Sequence, residues 1–256
     1  MRPLQLTICE SRPVGALHWV AFADQTLAQQ WRPGQYIQLL CDHQHIPSHL
    51  LLRAFFPAQV DTRLGRIGML FSPQHDEALQ WLAHRHIGTH VHGTGPLGKM
   101  PQTISSRGTA LCIGQHEGAI RLLGLVNHLH QQHTSVTFVA GDMPTAEHLP
   151  THLIPTDVEY LAGTENVLRV MERRTTELLR WADHIYVSAH APIIGAIQQL
   201  LRHSRLRAGR TITSVNQITP LPCATQSCRQ CHIQTRKGPR LACQSGPWFD
   251  IHELGS

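Results

Sequence analysis

Around residue 108 the sequence changes its hydrophobic period, and that switch limits the possible folds more than any other feature. Before it, QLTICESR, GALHWVAFA, QYIQLLCD, LLRAFF and GRIGMLF are short apolar runs separated by turn signals, Arg32-Pro33-Gly34 among them. Runs of this kind predict antiparallel strands closing toward a barrel. One helical stretch, HDEALQWLAHRH, interrupts them. After the switch, TALCIG, SVTFVAG, VEYLAG, HIYVSA and RTITSVNQI read as strands. EGAIRLLGLVNHLHQQH, ENVLRVMERRTTELLRW and APIIGAIQQLLRHS read as helices between them. Strands alternating with helices predict βαβ units on a parallel sheet. The expected fold is a β-barrel over residues 1–102, a doubly wound parallel-sheet α/β domain over 103–217, and a cysteine-rich tail over 218–256.

The tail, PCATQSCRQCHIQTRKGPRLACQSGPWFD, carries Cys223, Cys228, Cys231 and Cys243. The spacing is C-x4-C-x2-C, then eleven residues before the fourth cysteine. The first three match the plant-type iron–sulfur spacing, in which the fourth ligand comes from further along the chain. A tight loop can supply three thiolates and a return strand or turn the last. Gly238-Pro239 and Gly246-Pro247 punctuate the stretch as turns. Arg229, Arg236, Lys237 and Arg240 stand among the thiols, and nearby positive charge favours the metal-binding thiolate. The expectation is a 2Fe-2S cluster. Structural zinc is the competing metal, although its cysteines usually come as separate C-x2–4-C pairs. A tail without metal is the third alternative.

With 256 residues the chain is long enough to bury a good core. It has no apolar run of about 18 residues, so no transmembrane helix is expected. The segment MRPLQLTICESRPVG lacks an apolar signal core, which argues against secretion. Seven cysteines, four of them in a ligand-like array, point to a reducing cytoplasm rather than a disulfide framework. Cys9, Cys41 and Cys112 sit in apolar surroundings and are expected to be small buried hydrophobes. The net charge is +5, but the basic residues are dispersed. That excludes nucleic acid as the expected partner and suggests a mildly basic surface facing an acidic partner or an anionic cofactor. The 20 histidines are scattered. His84-Arg85-His86 and His90-x-His92 come nearest to clusters, and no second metal site is expected.

A barrel, an α/β domain and a four-cysteine tail together resemble the ferredoxin reductase superfamily. The tail resembles most closely the electron-transfer subunit of type B dihydroorotate dehydrogenase, whose cluster loop closes on a cysteine followed by Gly-Pro and Phe-Asp. Here the matching residues are Cys243, Gly246-Pro247 and Phe249-Asp250. Pro33-Gly34-Gln35 matches the superfamily's turn into a barrel strand, and Gly95-Pro96-Leu97-Gly98 matches its domain junction. The resemblance covers nearly the whole chain. It implies a nucleotide-type α/β domain and carries cofactor-binding roles to Arg53, Gly95, Gly114 and Gly118.

The sequence departs from the family at these places. An Arg-Pro-x-Ser flavin signature becomes Arg53-Ala54-Phe55-Phe56. Arg53 can still meet a pyrophosphate, since a guanidinium fork suits phosphate oxygens, but the serine hydroxyl is replaced by Phe56. A Gly-Thr flavin contact becomes His75-Asp76-Glu77, whose carboxylates would repel a diphosphate, or else complement a helix dipole. The glycine-rich nucleotide turn becomes Gly114-Gln-His-Glu-Gly118, and a Cys-Gly-Pro turn becomes Ser188-Ala189-His190. FAD therefore stays open and NAD(P)H is disfavoured, while an ordinary strand-to-helix turn also explains the two glycines.

Three functions follow. The first is an electron-transfer subunit relaying single electrons through the cluster to a protein partner in a hetero-oligomer. The second is a full NAD(P)H:FAD reductase with a cluster. The third is a non-catalytic accessory or redox-sensing subunit on the same scaffold.

Overall fold

The computed structural model describes residues 2–41, 52–74, 76–102, 107–145, 148–203, 211–223 and 225–255. The N-terminal half contains β1 (Pro3–Val14), β2 (Leu17–Ala23), α1 (Gln25–Gln30), β3 (Tyr36–Leu39), β4 (Arg53–Phe55), β5 (Gln59–Asp61), β6 (Arg66–Phe71), α2 (Glu77–Ala83) and β7 (His90–Leu97). Its strands form one seven-stranded antiparallel sheet in the order β4-β3-β7-β1-β2-β6-β5. The end strands β4 and β5 do not pair with each other, so the sheet is a curled half-barrel.

At β2 and β6 both faces of this sheet are covered, and the strand sequences reflect it. Alternate β2 residues, Val20 and Phe22, join Leu4, Leu6, Ile8, Ile37, Leu39, Ile67 and Met69 inside the curl, under Ala78 and Leu82 of α2. The residues between them, Trp19 and Ala21, face the second half of the molecule. A strand buried on both faces reads as a continuous apolar run rather than an alternation, which is why GALHWVAFA looks uniformly hydrophobic.

The second half contains β8 (Thr109–Gln115), α3 (Glu117–Gln131), β9 (Ser135–Gly141), β10 (Glu159–Ala162), α4 (Val167–Val170), α5 (Thr175–Trp181), β11 (His184–Ala189), α6 (Ala191–His203) and β12 (Ile212–Gln217). β10, β9, β8, β11 and β12 are parallel neighbours in that order. This is the doubly wound order, with the crevice of the sheet at the β8–β11 switch point. α3 covers one face together with Leu149, Leu153, Ile154 and Val158, whereas α4, α5 and α6 residues cover the other. The single helix expected over ENVLRVMERRTTELLRW is in fact α4, a 3-10 turn (Glu172–Arg174) and α5.

The tail adds β13 (His232–Thr235), β14 (Gly238–Leu241), α7 (Ala242–Ser245) and β15 (Trp248–Asp250). It is not an appendage. β15 pairs antiparallel with β12 and becomes the sixth strand of the main sheet. Trp248 also donates its indole N–H to the Gly34 carbonyl of the barrel, 2.9 Å away and buried. Gly34 has φ +83°, and a Cβ there would lie 2.5 Å from that indole nitrogen, so glycine is required for both the turn and the contact. Trp248→Phe leaves a buried carbonyl unpaired. It should lower the unfolding free energy by about 1–3 kcal/mol in urea denaturation.

Candidate functional site

A cavity of about 820 Å³ lies between the half-barrel and the α/β sheet. Its apolar wall includes Phe55 and Phe56 from the β4 end, Leu70 and Phe71 from β6, and Ile120 from α3. Its volume and its mixture of aromatic surface with a few polar groups are those of a small-molecule site. Leu221 and Pro222, which lead into the cysteine loop, also line it. Gln38 donates to the Leu221 carbonyl and ties that loop to the barrel.

Of the four residues given cofactor-binding roles by the sequence, only Arg53 lines this cavity. Its guanidinium is engaged: Nε donates to Asp76 Oδ2 at 2.7 Å and Nη2 to Asp76 Oδ1 at 3.2 Å. Asp76 is also the N-cap of α2, accepting from Ala78 and Leu79. Burial alone would raise the Asp76 pKa, but the Arg53 bonds and charge, with the two amides, hold it below the usual carboxylate range. Glu77 is exposed and borders no part of the cavity, whereas His75 lies outside the described residues. The second cation on the wall, Arg121, pairs with Glu117 at 3.2 Å and lies 5.1 Å over the Phe56 ring.

The glycines have packing roles. A Cβ on Gly118 would lie 1.9 Å from the Ser188 carbonyl oxygen, and one on Gly114 would lie 2.5 Å from Ala119 Cα. These contacts seat α3 against β8 and β11. A Cβ on Gly95 would meet Ile37 at 2.7 Å within the barrel. None of the three borders the cavity. Ser188, at the turn that replaces Cys-Gly-Pro, is fully buried beneath the first turn of α3. Among the described residues a diphosphate therefore finds neither an open guanidinium fork nor a free glycine turn here, and these residues do not fit FAD held by its diphosphate.

The structure gathers the four tail cysteines into two pairs. Cys231 immediately precedes β13 and Cys243 lies in α7. The β13–β14 hairpin pairs His232 with Leu241, and Ala242 N–H donates to the Cys231 carbonyl. That register brings Cys231 Sγ and Cys243 Sγ to 3.2 Å. Cys228 hydrogen-bonds Cys223 through both its backbone and its side chain. Burial opposes ionisation of Cys223, but these bonds and others from Thr225 carry its pKa down to about 6. Burial, then Cys231, push Cys243 up to about 12. Hydrogen bonds outweigh burial at Cys223, whereas burial and the neighbouring thiols act together at Cys243. Among the described residues, no group of three or more His, Cys, Asp or Glu side chains is arranged to hold a single metal ion.

Tyr36 lies between the cavity and the thiols. It is fully buried, and its ring centroid is 5.4 Å from that of Phe56. Burial, and after it the thiols of Cys243, Cys231 and Cys223, raise its pKa well above the ordinary tyrosine value. Tyr36 and Arg121 were not singled out from the sequence. The Glu117/Arg121 spacing at i and i+4 was the available signal for Arg121.

A second cavity, of about 470 Å³, opens at the start of β9 and β10. On its wall Arg174 is bound to Glu159 and Glu177, and no tail cysteine borders it. Cys41 and Cys112 are fully buried, and half-buried Cys9 donates to the Ala21 carbonyl at 3.3 Å. No helix among the described residues is long and apolar enough to cross a membrane.

No family model and no curated protein sequence matches the chain. Solved structures do. An NADH-dependent reduced ferredoxin-NADP oxidoreductase, studied for flavin-based electron bifurcation, superposes with a TM-score of 0.78 at 16% identity over 98% of this chain and 90% of its own. The ferredoxin reductase of carbazole 1,9a-dioxygenase gives 0.64 at 18% identity over 83% of this chain and 66% of its own. The ferredoxin-NADP+ reductase of Plasmodium falciparum, with 2'P-AMP, gives 0.63 at 10% identity over 82% and 94%. This chain has the ferredoxin reductase fold. At these identities the likeness concerns architecture.

Two measurements check the site. Gly118→Ala must push α3 away from Ser188, and should cost about 1–3 kcal/mol in denaturant unfolding. Asp76→Asn removes a carboxylate whose folded pKa is depressed. The stability this carboxylate contributes is complete above its unfolded pKa and is lost as pH falls through the folded one. Wild type should exceed Asp76→Asn by about 1 kcal/mol at neutral pH, and unfolding curves of the two should converge in acid.

Proposed function

We propose that the chain is an electron-transfer subunit of an oxidoreductase complex. It would relay single electrons through a 2Fe-2S cluster held by Cys223, Cys228, Cys231 and Cys243, in the manner of the dihydroorotate dehydrogenase electron-transfer subunit it resembles. The observation that carries this is the gathering of the four thiols, Cys231 Sγ lying 3.2 Å from Cys243 Sγ with Cys223 and Cys228 close enough to act on both. A binuclear cluster takes two protein ligands on each iron, whereas a structural zinc draws all four onto one ion. The thiol environment also supports the assignment. One low-pKa thiol gives a ready thiolate, and the buried partners around Cys231 keep water away.

When bound, the cluster would supply one-electron transfer. The protein's own residues do the rest. The β13–β14 hairpin fixes the separation of Cys231 and Cys243. Trp248 and β15 anchor the segment on the sheet and on the barrel. Cys228 stays near the surface, bordered by exposed Arg229 and Gln230, which leaves that side open to a partner. Electron delivery of this kind needs a second protein as donor or acceptor, so the working form is a hetero-oligomer. The ferredoxin-reductase-type structures that share the fold support a redox role. The charge-paired cavity and the packed glycines favour a relay over a complete NAD(P)H:FAD reductase.

Protein purified without oxygen should contain about two irons and two acid-labile sulfides per chain and show a broad visible absorption. Cys228→Ser should lose most of both and no longer pass electrons to its partner. Colourless protein with stoichiometric zinc, or normal turnover of the partner with Cys228→Ser, would sink the proposal.

A further inference from the structure

Among the described residues, four charged side chains line the larger cavity: Arg53, Asp76, Glu117 and Arg121. They are two cations and two anions, and each cation is bound to an anion of the same wall. The described wall therefore presents no net charge. The Arg53 fork in particular is closed by a carboxylate that α2 holds in place through its N-terminal amides. A diphosphate entering here would displace Asp76 from both sets of partners or sit beside two carboxylates. Removing a partner from a half-buried pair leaves the other charge uncompensated, a larger loss than that of a surface pair. The remaining wall favours a different ligand. Phe55, Phe56 and Phe71 offer aromatic surface.

We propose that this cavity binds an uncharged, flat ring ligand, and that Asp76, seconded by Glu117, excludes the diphosphate-bearing form of such a ligand. The ferredoxin reductase fold here keeps a ring pocket but selects against FAD by charge. The selection is independent of the cysteine cluster, so the relay function can fail without affecting it, and the reverse also holds.

Riboflavin and FAD are suitable probes because they share one ring system and differ in charge. Binding to the full-length protein can be followed by quenching of flavin fluorescence. Wild type should bind riboflavin at least about tenfold more tightly than FAD, a gap of about 1.4 kcal/mol. Asp76→Asn keeps a good N-cap residue for α2 while removing the charge. It should tighten FAD at least about tenfold and leave riboflavin within about threefold. Glu117→Gln, at a half-exposed position, should move FAD in the same direction by a smaller factor. Iron content should be the same in all three proteins. FAD that co-purifies with wild type or binds it as tightly as riboflavin would overturn the proposal. So would failure of both flavins to bind, or an Asp76→Asn variant, folded by thermal melt, with unchanged FAD affinity.

Discussion

Burial of α3 between two sheets is the constraint from which the rest of the structure follows. Most of the helix is buried: its buried residues meet β8 and β9 on one side and Trp19, Ala21 and Leu70 of the half-barrel on the other. Small residues set the distances. Gly118 lets the helix reach the Ser188 carbonyl, and a Cβ on Gly124 would lie 2.0 Å from the Pro57 carbonyl oxygen. Asn127 then bonds the carbonyls of Ala58 and Leu153, stitching three segments together at one side chain. Such close packing leaves little freedom for one half to slide on the other. The cavity at the N-terminal end of α3 consequently has fixed walls.

Electrostatics then decides what those walls can hold. The fold offers two guanidinium groups to a ligand, and the sequence neutralises each from a helix start, Arg53 from that of α2 and Arg121 from the first turn of its own helix. Asp76 begins α2 and Glu117 begins α3, so the acids that complement helix dipoles also face the cations. The same carboxylates that stabilise the scaffold thus remove its affinity for anions. The cysteine tail shows a parallel economy, because the hairpin that aligns Cys231 with Cys243 belongs to the segment that completes the sheet.

Much of the architecture was legible in local pattern. Five apolar runs after residue 108 became five parallel strands, since buried parallel strands announce themselves as short hydrophobic segments. Where the pattern misled, side chains competed with the backbone. The run ENVLRVMERRTTELLRW breaks because the Thr175 hydroxyl bonds the Met171 carbonyl and Arg174 is drawn to Glu159 and Glu177. β7 escaped notice because HVHGTGPL carries histidines and glycines, although it lies between β3 and β1. The site was less visible. Arg53 and the suspect carboxylate at Asp76 could be named from sequence, but their ion pair spans 23 residues. The packing roles of Gly95, Gly114 and Gly118 depend on Ile37, Ala119 and Ser188, and only the fold brings these together.

β15 also bears on how the protein behaves among copies of itself. Among the described residues, the parallel sheet would end at β12 without it, and β12 would present an open row of amides and carbonyls. An uncovered strand of that kind is a template for pairing with another chain. The stretch that carries the cysteines therefore also serves as the sheet's lid against self-association. Chemistry that loosens the thiol loop, oxidation included, acts on a segment whose far end guards that edge. Trp248, Phe249 and Asp250 are the residues that cover that edge, opposite Asn216, Val215 and Ser214.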